Sequence, residues 1–290
     1  MTQKKCQKIL IIGCGDLGMR LVRGLTAQGW EVYALRRTIV EMPESARQIV
    51  ADVTSSHLPA DWPTDYDYVV YSIAASEFTE QGYRAAYVQG LQNVLTWLAN
   101  NESPLKRFIF TSSTAVYGQT DGQWVNEDSV TEPNRWNGQL MLEAEQLAQT
   151  SGYPATVVRL SGIYGPNRDH LVQRALAGYS AHKGSMTNRI HVQDAADFLL
   201  TLLAQSEAGA IIDNCYLVND DLPVELEDVL AWLRQELNIT IKESLFMPAM
   251  AGSKRCDNAR AKALGWQPKY PDYRIGYAPM IAPLLSKNGS

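Results

Sequence analysis

The sequence is poor in cysteine and histidine, and it has no long apolar run. Its 290 residues include four cysteines and four histidines. The cysteines form no C-x-x-C pair, and disulfide frameworks are typical of shorter secreted chains, so we expect free thiols. These residues also show no metal-ligand spacing. No stretch approaches the roughly 18 uninterrupted apolar residues of a membrane span. We therefore expect no disulfide scaffold, no metal site and no membrane partner.

An excess of positive charge is also missing. The 26 Lys and Arg against 31 Asp and Glu give a net charge of −5, and no basic stripe is present. Binding to a phosphate backbone requires such a stripe, so we do not expect nucleic acid as a partner. The apolar run Ile9–Ile12 is too short for the hydrophobic region of a secretory signal. The sequence therefore predicts a globular, cytoplasmic protein.

Apolar runs alternate with helical patterns through the first two thirds of the chain. Six of these runs are predicted strands: Lys8–Ile12, Glu31–Leu35, Arg47–Ala51, Tyr68–Ile73, Arg107–Thr111 and Ala155–Leu160. Strands that alternate with helices build βαβ units and a parallel sheet. We therefore predict an α/β fold, a Rossmann-type doubly wound parallel sheet with a smaller C-terminal substrate lobe.

The C-terminal third has a less regular pattern. It contains a predicted strand at Cys215–Val218 and a helix from about Pro223 to Glu236, with Pro223 at its first position. Asp194 is interpreted as the N-cap of a further helix. We predict that residues 1–165, with about 190–218, form an NAD(P)-binding domain. Residues 166–189 and 219–290 would form the smaller lobe.

The segment Gly13-Cys14-Gly15-Asp16-Leu17-Gly18 is a G-x-G-x-x-G motif between a strand and a helix. In that context the first glycine makes the tight turn, and the second lets backbone N–H groups approach a pyrophosphate. The third allows close packing of helix and strand. The alternative is a turn that merely needs glycine. We interpret Asp16 as a helix-end residue that the helix dipole stabilises.

Arg36 and Arg37 stand at the end of the second strand, where an NAD-specific site would carry an acid for the ribose 2′-hydroxyl. Guanidinium groups suit a 2′-phosphate, which favours NADP, with NAD as the alternative. Asp52 is either a contact to the adenine amino group or an ordinary turn carboxylate. The complete set of predicted cofactor-binding residues is Gly13, Gly15, Asp16, Leu17, Gly18, Arg36, Arg37, Asp52, Val53, Ala74, Ala75 and Thr111.

Several later segments resemble the extended short-chain dehydrogenases of the nucleotide-sugar epimerase/dehydratase group. Thr111-Ser112-Ser113-Thr114-Ala115-Val116-Tyr117-Gly118 is similar to that family's S-S-x-x-V-Y-G segment. Val158-Arg159-Leu160, Ile163-Tyr164-Gly165-Pro166 and Ile190-His191-Val192-Gln193-Asp194 follow in the family's order and spacing. The resemblance extends from Ile9 to about Tyr270, and it implies a dinucleotide-dependent oxidoreductase acting on a nucleotide sugar or a similar polar metabolite.

The resemblance also implies a catalytic Ser or Thr followed by a Tyr-x-x-x-Lys pair, and the chain departs from it there. Ser113 matches the Ser or Thr. The segment Met141-Leu142-Glu143-Ala144-Glu145 aligns with the family's Lys-Leu-Glu-Ala-Glu, which assigns Asn137 to the Tyr position and Met141 to the Lys position. An amide and a thioether cannot exchange protons near neutral pH. The usual proton-transfer pair is therefore absent.

This departure leaves three hypotheses. The chain is an epimerase/dehydratase-like enzyme with a non-standard site, a reductase with a relocated acid, or a degenerate NADP-binding sensor that regulates a partner. Tyr117 and Tyr164 are the candidates for a relocated acid, because both follow strand ends that face the cofactor crevice. The sequence leaves open whether the protein forms a homodimer.

Overall fold

The computed structural model describes residues 6–55, 58–59, 62–241, 245–247 and 252–287. Its strands are β1 Lys8–Ile12, β2 Glu31–Arg36, β3 Ala46–Val50, β4 Tyr68–Tyr71, β5 Arg107–Ser113, β6 Gln123–Val125, β7 Ala155–Leu160, β8 Gly162–Tyr164, β9 Tyr179–Ser180, β10 Met186–Thr187, β11 Arg189–His191, β12 Cys215–Val218, β13 Val224–Glu225, β14 Leu245–Phe246 and β15 Lys254–Cys256. Its α-helices are α1 Asp16–Ala27, α2 Glu80–Tyr83, α3 Gly90–Asn100, α4 Trp136–Gln149, α5 His170–Leu176, α6 Val192–Glu207, α7 Leu226–Glu236, α8 Ala259–Ala263 and α9 Tyr273–Lys287. A π-helix, Arg84–Gln89, joins α2 to α3, and a 3₁₀ turn, Thr114–Val116, follows β5.

Seven strands of the described chain pair in parallel into one sheet with the order β3-β2-β1-β4-β5-β7-β12. All six strands predicted from the apolar runs lie in this sheet, with ends within two residues of the prediction, and Cys215–Val218 is its seventh strand. Helices cover both faces. The predicted doubly wound Rossmann-type fold is confirmed.

The central strands are apolar on both faces because each face packs against helices. In β1, Leu10 and Ile12 contact the cluster that includes α3 and α4, whereas Ile9 and Ile11 contact the cluster with α1 and α6. Alternate side chains of a strand point to opposite faces, so one short apolar run contributes to two cores. The sheet is thereby fixed between two helical layers, and the carboxyl ends of its strands form one edge.

A third apolar cluster lies in the C-terminal part of the described chain. Helix α7 contributes Val229, Leu230 and Leu233, and α9 contributes Tyr277 and Ile281. The division into 1–165 with 190–218 and a separate lobe remains a prediction. Core packing crosses the proposed boundary, because Ala261 and Trp266 belong to the core cluster of α1 and α6, and Cys256 belongs to the cluster of α3 and α4.

Two local predictions in this region are wrong. Pro223 does not begin a helix, because Val224–Glu225 pairs with Met186–Thr187 as a short antiparallel strand and the helix starts at Leu226. Asp194 is not an N-cap. His191 holds that position, where its Nδ1 accepts a hydrogen bond from the Gln193 N–H at 3.2 Å.

The buried Asp194 carboxylate instead accepts the backbone N–H groups of Lys269 and Tyr270 at 2.8 and 2.9 Å. This carboxylate therefore holds a distant segment of the chain against α6. None of the helices in the described ranges has the length and apolar character needed to cross a bilayer.

Candidate cofactor site and active site

A cavity of about 710 Å³ lies at the carboxyl edge of the sheet. It is lined by residues that follow β1, β2, β4, β5 and β7, and by the first turns of α1 and α4. In an open α/β sheet, ligands bind in the crevice outside the carboxyl ends of the strands. The volume lies within the range of about 300–1,000 Å³ that is usual for small-molecule sites.

The three glycines of the motif have different roles in the loop between β1 and α1. Gly13 has a φ of +96°, and a Cβ there would overlap the Ser72 backbone. A Cβ on Gly18 would overlap the Gly13 carbonyl. Gly15 has no such neighbour, since an added Cβ would meet nothing within 4 Å. The fold thus requires Gly13 and Gly18, while the bare backbone at Gly15 faces open cavity, which fits a pyrophosphate at the N-terminus of α1.

Two arginines neutralise the carboxylate of Asp16 beside this loop. Arg20 Nε lies 3.0 Å from one oxygen and Arg168 Nε lies 3.2 Å from the other. A carboxylate next to a phosphate site is unfavourable unless it is paired, and here it is paired twice. Arg168 also lines the cavity. The sequence reasoning missed this residue, although it directly follows the Tyr164-Gly165-Pro166 segment and an Asn.

The basic pair after β2 borders the opposite part of the cavity. Arg36 Nη1 donates to the Cys14 carbonyl at 3.3 Å, and Arg37 Nη1 donates to Ser76 Oγ at 3.0 Å. Asp52 Oδ1 accepts the N–H and the hydroxyl of Thr54 at 2.9 and 2.7 Å. Burial acts to raise the pKa of Asp52, but the Thr54 hydrogen bonds and Arg37 lower it overall. Asp52 therefore has a turn role and also lines the cavity.

Most of the remaining predicted cofactor residues lie on the cavity wall. Leu17, Val53, Ala74 and Thr111 line it. Gly18 and Ala75 are absent from the lining. The Ala75 N–H donates to the hydroxyl of Tyr87 at 3.3 Å, so Ala75 contacts a residue of the cavity wall without lining the cavity itself.

Ser113, Asn137 and Met141 are close together on the wall of the cavity. The Ser113 hydroxyl accepts the Ala115 N–H at 3.1 Å and thereby caps the 3₁₀ turn. Gly138 lies so close to the Ala115 carbonyl that a Cβ could not fit between them, so α4 begins directly against this turn. Asn137 and Met141 follow one helical turn apart. The positions that the resemblance assigns to Tyr and Lys therefore face the cavity, with an amide and a 3% exposed methionine in place of a phenol and an ammonium group.

Helix α4 is anchored to the sheet by a buried ion pair. Arg159 Nη2 of β7 lies 2.7 Å from Glu145 Oε2, and Ser112 Oγ donates to the other oxygen of Glu145 at 2.5 Å. Burial acts to lower the pKa of Arg159, but Glu145 raises it overall, so the guanidinium stays charged. These contacts hold α4 against β5 and β7, and they thereby fix the positions of Asn137 and Met141 on the same helix.

The two tyrosines predicted as relocated acids do not line the cavity. The Tyr117 hydroxyl donates to the Asn126 carbonyl at 2.8 Å and accepts from Arg159 Nη1 at 2.9 Å, inside the core. Tyr164 is buried against Tyr277, with ring centroids 4.5 Å apart. Burial raises the pKa of both phenols well above the ordinary value. Both side chains turn away from the crevice, so neither remains a candidate acid.

The phenols that do line the cavity belong to Tyr83 and Tyr87, which the sequence reasoning did not select. They follow Ala74 and Ala75 in the connection from β4 to α3. The available signal was the pair of tyrosines four positions apart near a helix start. Their direction depends on the π-helix at Arg84–Gln89, which no periodicity in the sequence indicated.

Comparison with known proteins identifies the family. The model of the NAD-dependent epimerase/dehydratase family matches residues 9–214. The chain belongs to this family. Protein YeeZ of Escherichia coli (strain K12) is 30% identical over 218 residues, which cover 72% of this chain and 77% of YeeZ.

Solved structures agree with this assignment. A Methylobacillus flagellatus protein, assigned to the NAD-dependent epimerases/dehydratases, is 37% identical with a TM-score of 0.80 and covers 97% of this chain and 100% of its own. DesIV, a dTDP-glucose 4,6-dehydratase from Streptomyces venezuelae solved with NAD and TYD bound, is 20% identical with a TM-score of 0.80 and covers 98% of each chain. DesIV supports the fold alone.

Proposed function

We propose that this epimerase/dehydratase family member is an NAD(P)-dependent oxidoreductase with a non-standard active site. The observation that carries the proposal is the cavity itself. It joins a glycine loop with an open position at Gly15 to the Ser113, Asn137 and Met141 wall within one space of about 710 Å³. Backbone N–H groups near Gly15 would hold the pyrophosphate. When bound, the nicotinamide would supply or accept the hydride.

Arg36 and Arg37 favour NADP as the cofactor. Both border the cavity at the end of β2, and Arg36 Nε is buried with no hydrogen-bond partner in the described residues. A buried unpaired guanidinium N–H has a high desolvation cost, which a phosphate oxygen would offset. NAD remains the alternative, and NAD is the cofactor bound in DesIV.

We propose a nucleotide sugar or a similar polar metabolite as the substrate. The support is family membership together with the fold shared with DesIV, which binds TYD. The cytoplasmic location and a homodimer remain predictions from the sequence.

A catalytically degenerate NADP sensor is the second candidate, because of the residues at the dyad positions. Asn137 and Met141 line the cavity where the resemblance calls for Tyr and Lys. Neither side chain can donate or accept a proton near neutral pH. A protein that kept the glycine loop and lost the dyad would still bind a dinucleotide.

Calorimetric titration with NADPH and NADH tests the cofactor proposal. Arg36→Ala and Arg37→Ala should each weaken NADPH binding about 10- to 100-fold, because one charge-assisted phosphate contact contributes about 1.5–3 kcal/mol. NADH affinity should change much less. Arg23→Ala, on the exposed face of α1, is the matched control. Equal losses for both cofactors would show that the arginine pair is not a 2′-phosphate site.

A second measurement separates the enzyme from the sensor. The parent protein is mixed with NADPH or NADP⁺ and a panel of sugar nucleotides and polar carbonyl compounds, and absorbance at 340 nm is followed. An enzyme changes the nicotinamide absorbance with at least one compound. Cofactor binding without turnover across the panel would favour the sensor.

A further inference from the structure

Four aromatic side chains form a cluster at the cavity, next to the vacated dyad positions. Tyr83 is at its centre, with ring centroids 5.0 Å from Tyr87, 5.4 Å from Phe78 and 5.1 Å from Trp136. Trp136 is the first residue of α4 and directly precedes Asn137. Tyr83 and Asn137 both line the cavity. A phenol from another helix therefore shares the cavity with the position that the resemblance assigns to the family's tyrosine.

The segment that carries Tyr83 and Tyr87 changes from an α-helix to a π-helix between the two residues. Helix α2 begins after Thr79, whose hydroxyl accepts the Gly82 N–H at 3.1 Å, and it passes into a π-helix at Arg84. The i→i+5 turns of a π-helix are wider than α-helical turns, so side chains four apart lie nearly one above the other. The buried Tyr71 hydroxyl donates to the Ala86 carbonyl of this turn at 2.5 Å. Tyr83, the last residue of α2, and Tyr87, within the π-helix, both line the cavity with their rings 5.0 Å apart.

The position of this segment relative to α4 is also fixed. Arg84 Nη1 lies 3.2 Å from Glu143 Oε1 of α4, two residues after Met141. The Tyr83 ring meets the Trp136 ring edge to face, at 88°. Such aromatic pairs stabilise a fold by more than the apolar area they bury would give. An ion pair and an aromatic pair therefore both connect the segment around Tyr83 to α4.

The two cavity phenols differ in what their hydroxyls do. The Tyr87 hydroxyl accepts the Ala75 N–H, which holds it against the wall. Tyr83 is half-buried, and its hydroxyl makes no hydrogen bond to any residue that the structure describes. Burial, with Tyr87 beside it, raises the pKa of the Tyr83 phenol, so it carries its proton at neutral pH. Tyr83 therefore has a hydroxyl proton that is available for a ligand.

We propose that Tyr83 is the proton donor of this active site when a carbonyl compound is reduced. The proposal rests on the proposed function, since NAD(P)H, when bound, supplies the hydride to the carbonyl carbon. The Tyr83 O–H bond breaks as its proton passes to the carbonyl oxygen, and the product is the alcohol. Water then returns a proton to the phenolate.

The experiment uses ¹⁹F NMR of the full chain labelled with 3-fluorotyrosine, and its ligands are NADP⁺ and NADPH alone. Tyr83→Phe keeps the ring in the cluster and removes one resonance, which assigns Tyr83. The positive charge of the oxidised nicotinamide should lower the titration midpoint of that resonance by about one pH unit in the NADP⁺ complex. NADPH, with a neutral nicotinamide, should not lower it.

Matched controls define the result. Tyr153 lies outside the cavity lining, so its resonance, assigned with Tyr153→Phe, should keep its midpoint in both complexes. Tyr83→Phe should bind NADPH within about threefold of the parent, because it removes only the hydroxyl group and keeps the ring in the cluster. If NADP⁺ binds and the Tyr83 midpoint stays constant, the phenol is not beside the nicotinamide and the proposal is overturned. Absence of any binding by the parent would instead overturn the proposed function, and this proposal with it.

Discussion

The two ends of the cavity differ in how far they keep the family pattern. At the glycine-loop end, Gly13 and Gly18 allow backbone segments to approach closely, and Gly15 has open space where a side chain would stand. The carboxylate of Asp16 there is paired with Arg20 and Arg168. At the α4 end, the helix begins beside the 3₁₀ turn that Ser113 caps, and Asn137 and Met141 occupy the positions that the resemblance assigns to Tyr and Lys. The two ends thus share the expected backbone, and they differ in whether the side chains match the residues that the resemblance implies.

This difference separates binding from chemistry. Binding of a pyrophosphate depends on backbone N–H groups and on the conformations of the glycines. The packing of β1 against α1 maintains both. Proton transfer depends on one or two side-chain types, which can change without disturbing the packing. Met141 illustrates this, since it fills a place in the core cluster of α3 and α4 while it also lines the cavity.

The largest expected effect is the contrast between Gly13→Val and Gly15→Val. Valine at 13 requires a positive φ and overlaps Ser72, so it should lower the free energy of unfolding by more than about 4 kcal/mol. Valine at 15 meets open space, so stability should hold while NADPH affinity falls at least about 100-fold through lost charge-assisted contacts. Urea unfolding and calorimetric titration measure the two. If Gly15→Val binds NADPH as the parent does, the phosphate site lies elsewhere.

The next effect concerns the anchor beneath α4. Glu145→Gln leaves the Arg159 charge buried without its partner, which should cost about 3–5 kcal/mol in urea unfolding. Glu143→Gln on the same helix breaks only the exposed pair with Arg84 and should cost less than about 1 kcal/mol. Similar costs for the two variants would show that the buried pair does not fix α4.

Arg168→Met should have a smaller effect, on binding rather than on folding. The substitution leaves Asp16 with Arg20 alone and removes a guanidinium from the cavity wall. We expect NADPH affinity to fall about 10- to 100-fold, while stability changes by less than about 1 kcal/mol. Calorimetric titration compares it with Arg23→Met on the exposed face of α1. Unchanged affinity would place Arg168 outside the pyrophosphate site and weaken the difference drawn between the two ends.

The smallest expected effect is that of Met141→Leu. If Met141 acts only as core, a side chain of similar volume should cost less than about 1.5 kcal/mol in unfolding and leave NADPH affinity unchanged. A tenfold loss of affinity on this substitution would contradict the interpretation, because it would show that the thioether itself contacts the cofactor.

Sequence alone determined the sheet and the glycine loop. Strand runs such as Lys8–Ile12 and Cys215–Val218 were predicted with their observed ends, because a buried parallel strand needs a local apolar run. The roles of Gly13 and Gly18 also follow from local backbone geometry. Asn137 and Met141 were assigned to the Tyr and Lys positions by the resemblance of one short helical segment, and the structure places both residues on the cavity wall.

Only the tertiary structure decided where the polar groups point. Tyr117 and Tyr164 follow strand ends, yet Arg159 draws one phenol into the core and Tyr277 packs against the other. Arg168 reaches Asp16 across 152 positions of the chain. Tyr83 lines the cavity and packs against Trp136 of α4, which lies more than 50 positions later in the chain. Hydrophobic periodicity and secondary-structure propensity are properties of one short segment. The directions of these side chains depend on partners that meet only when distant segments pack, so no pattern within one segment specifies them.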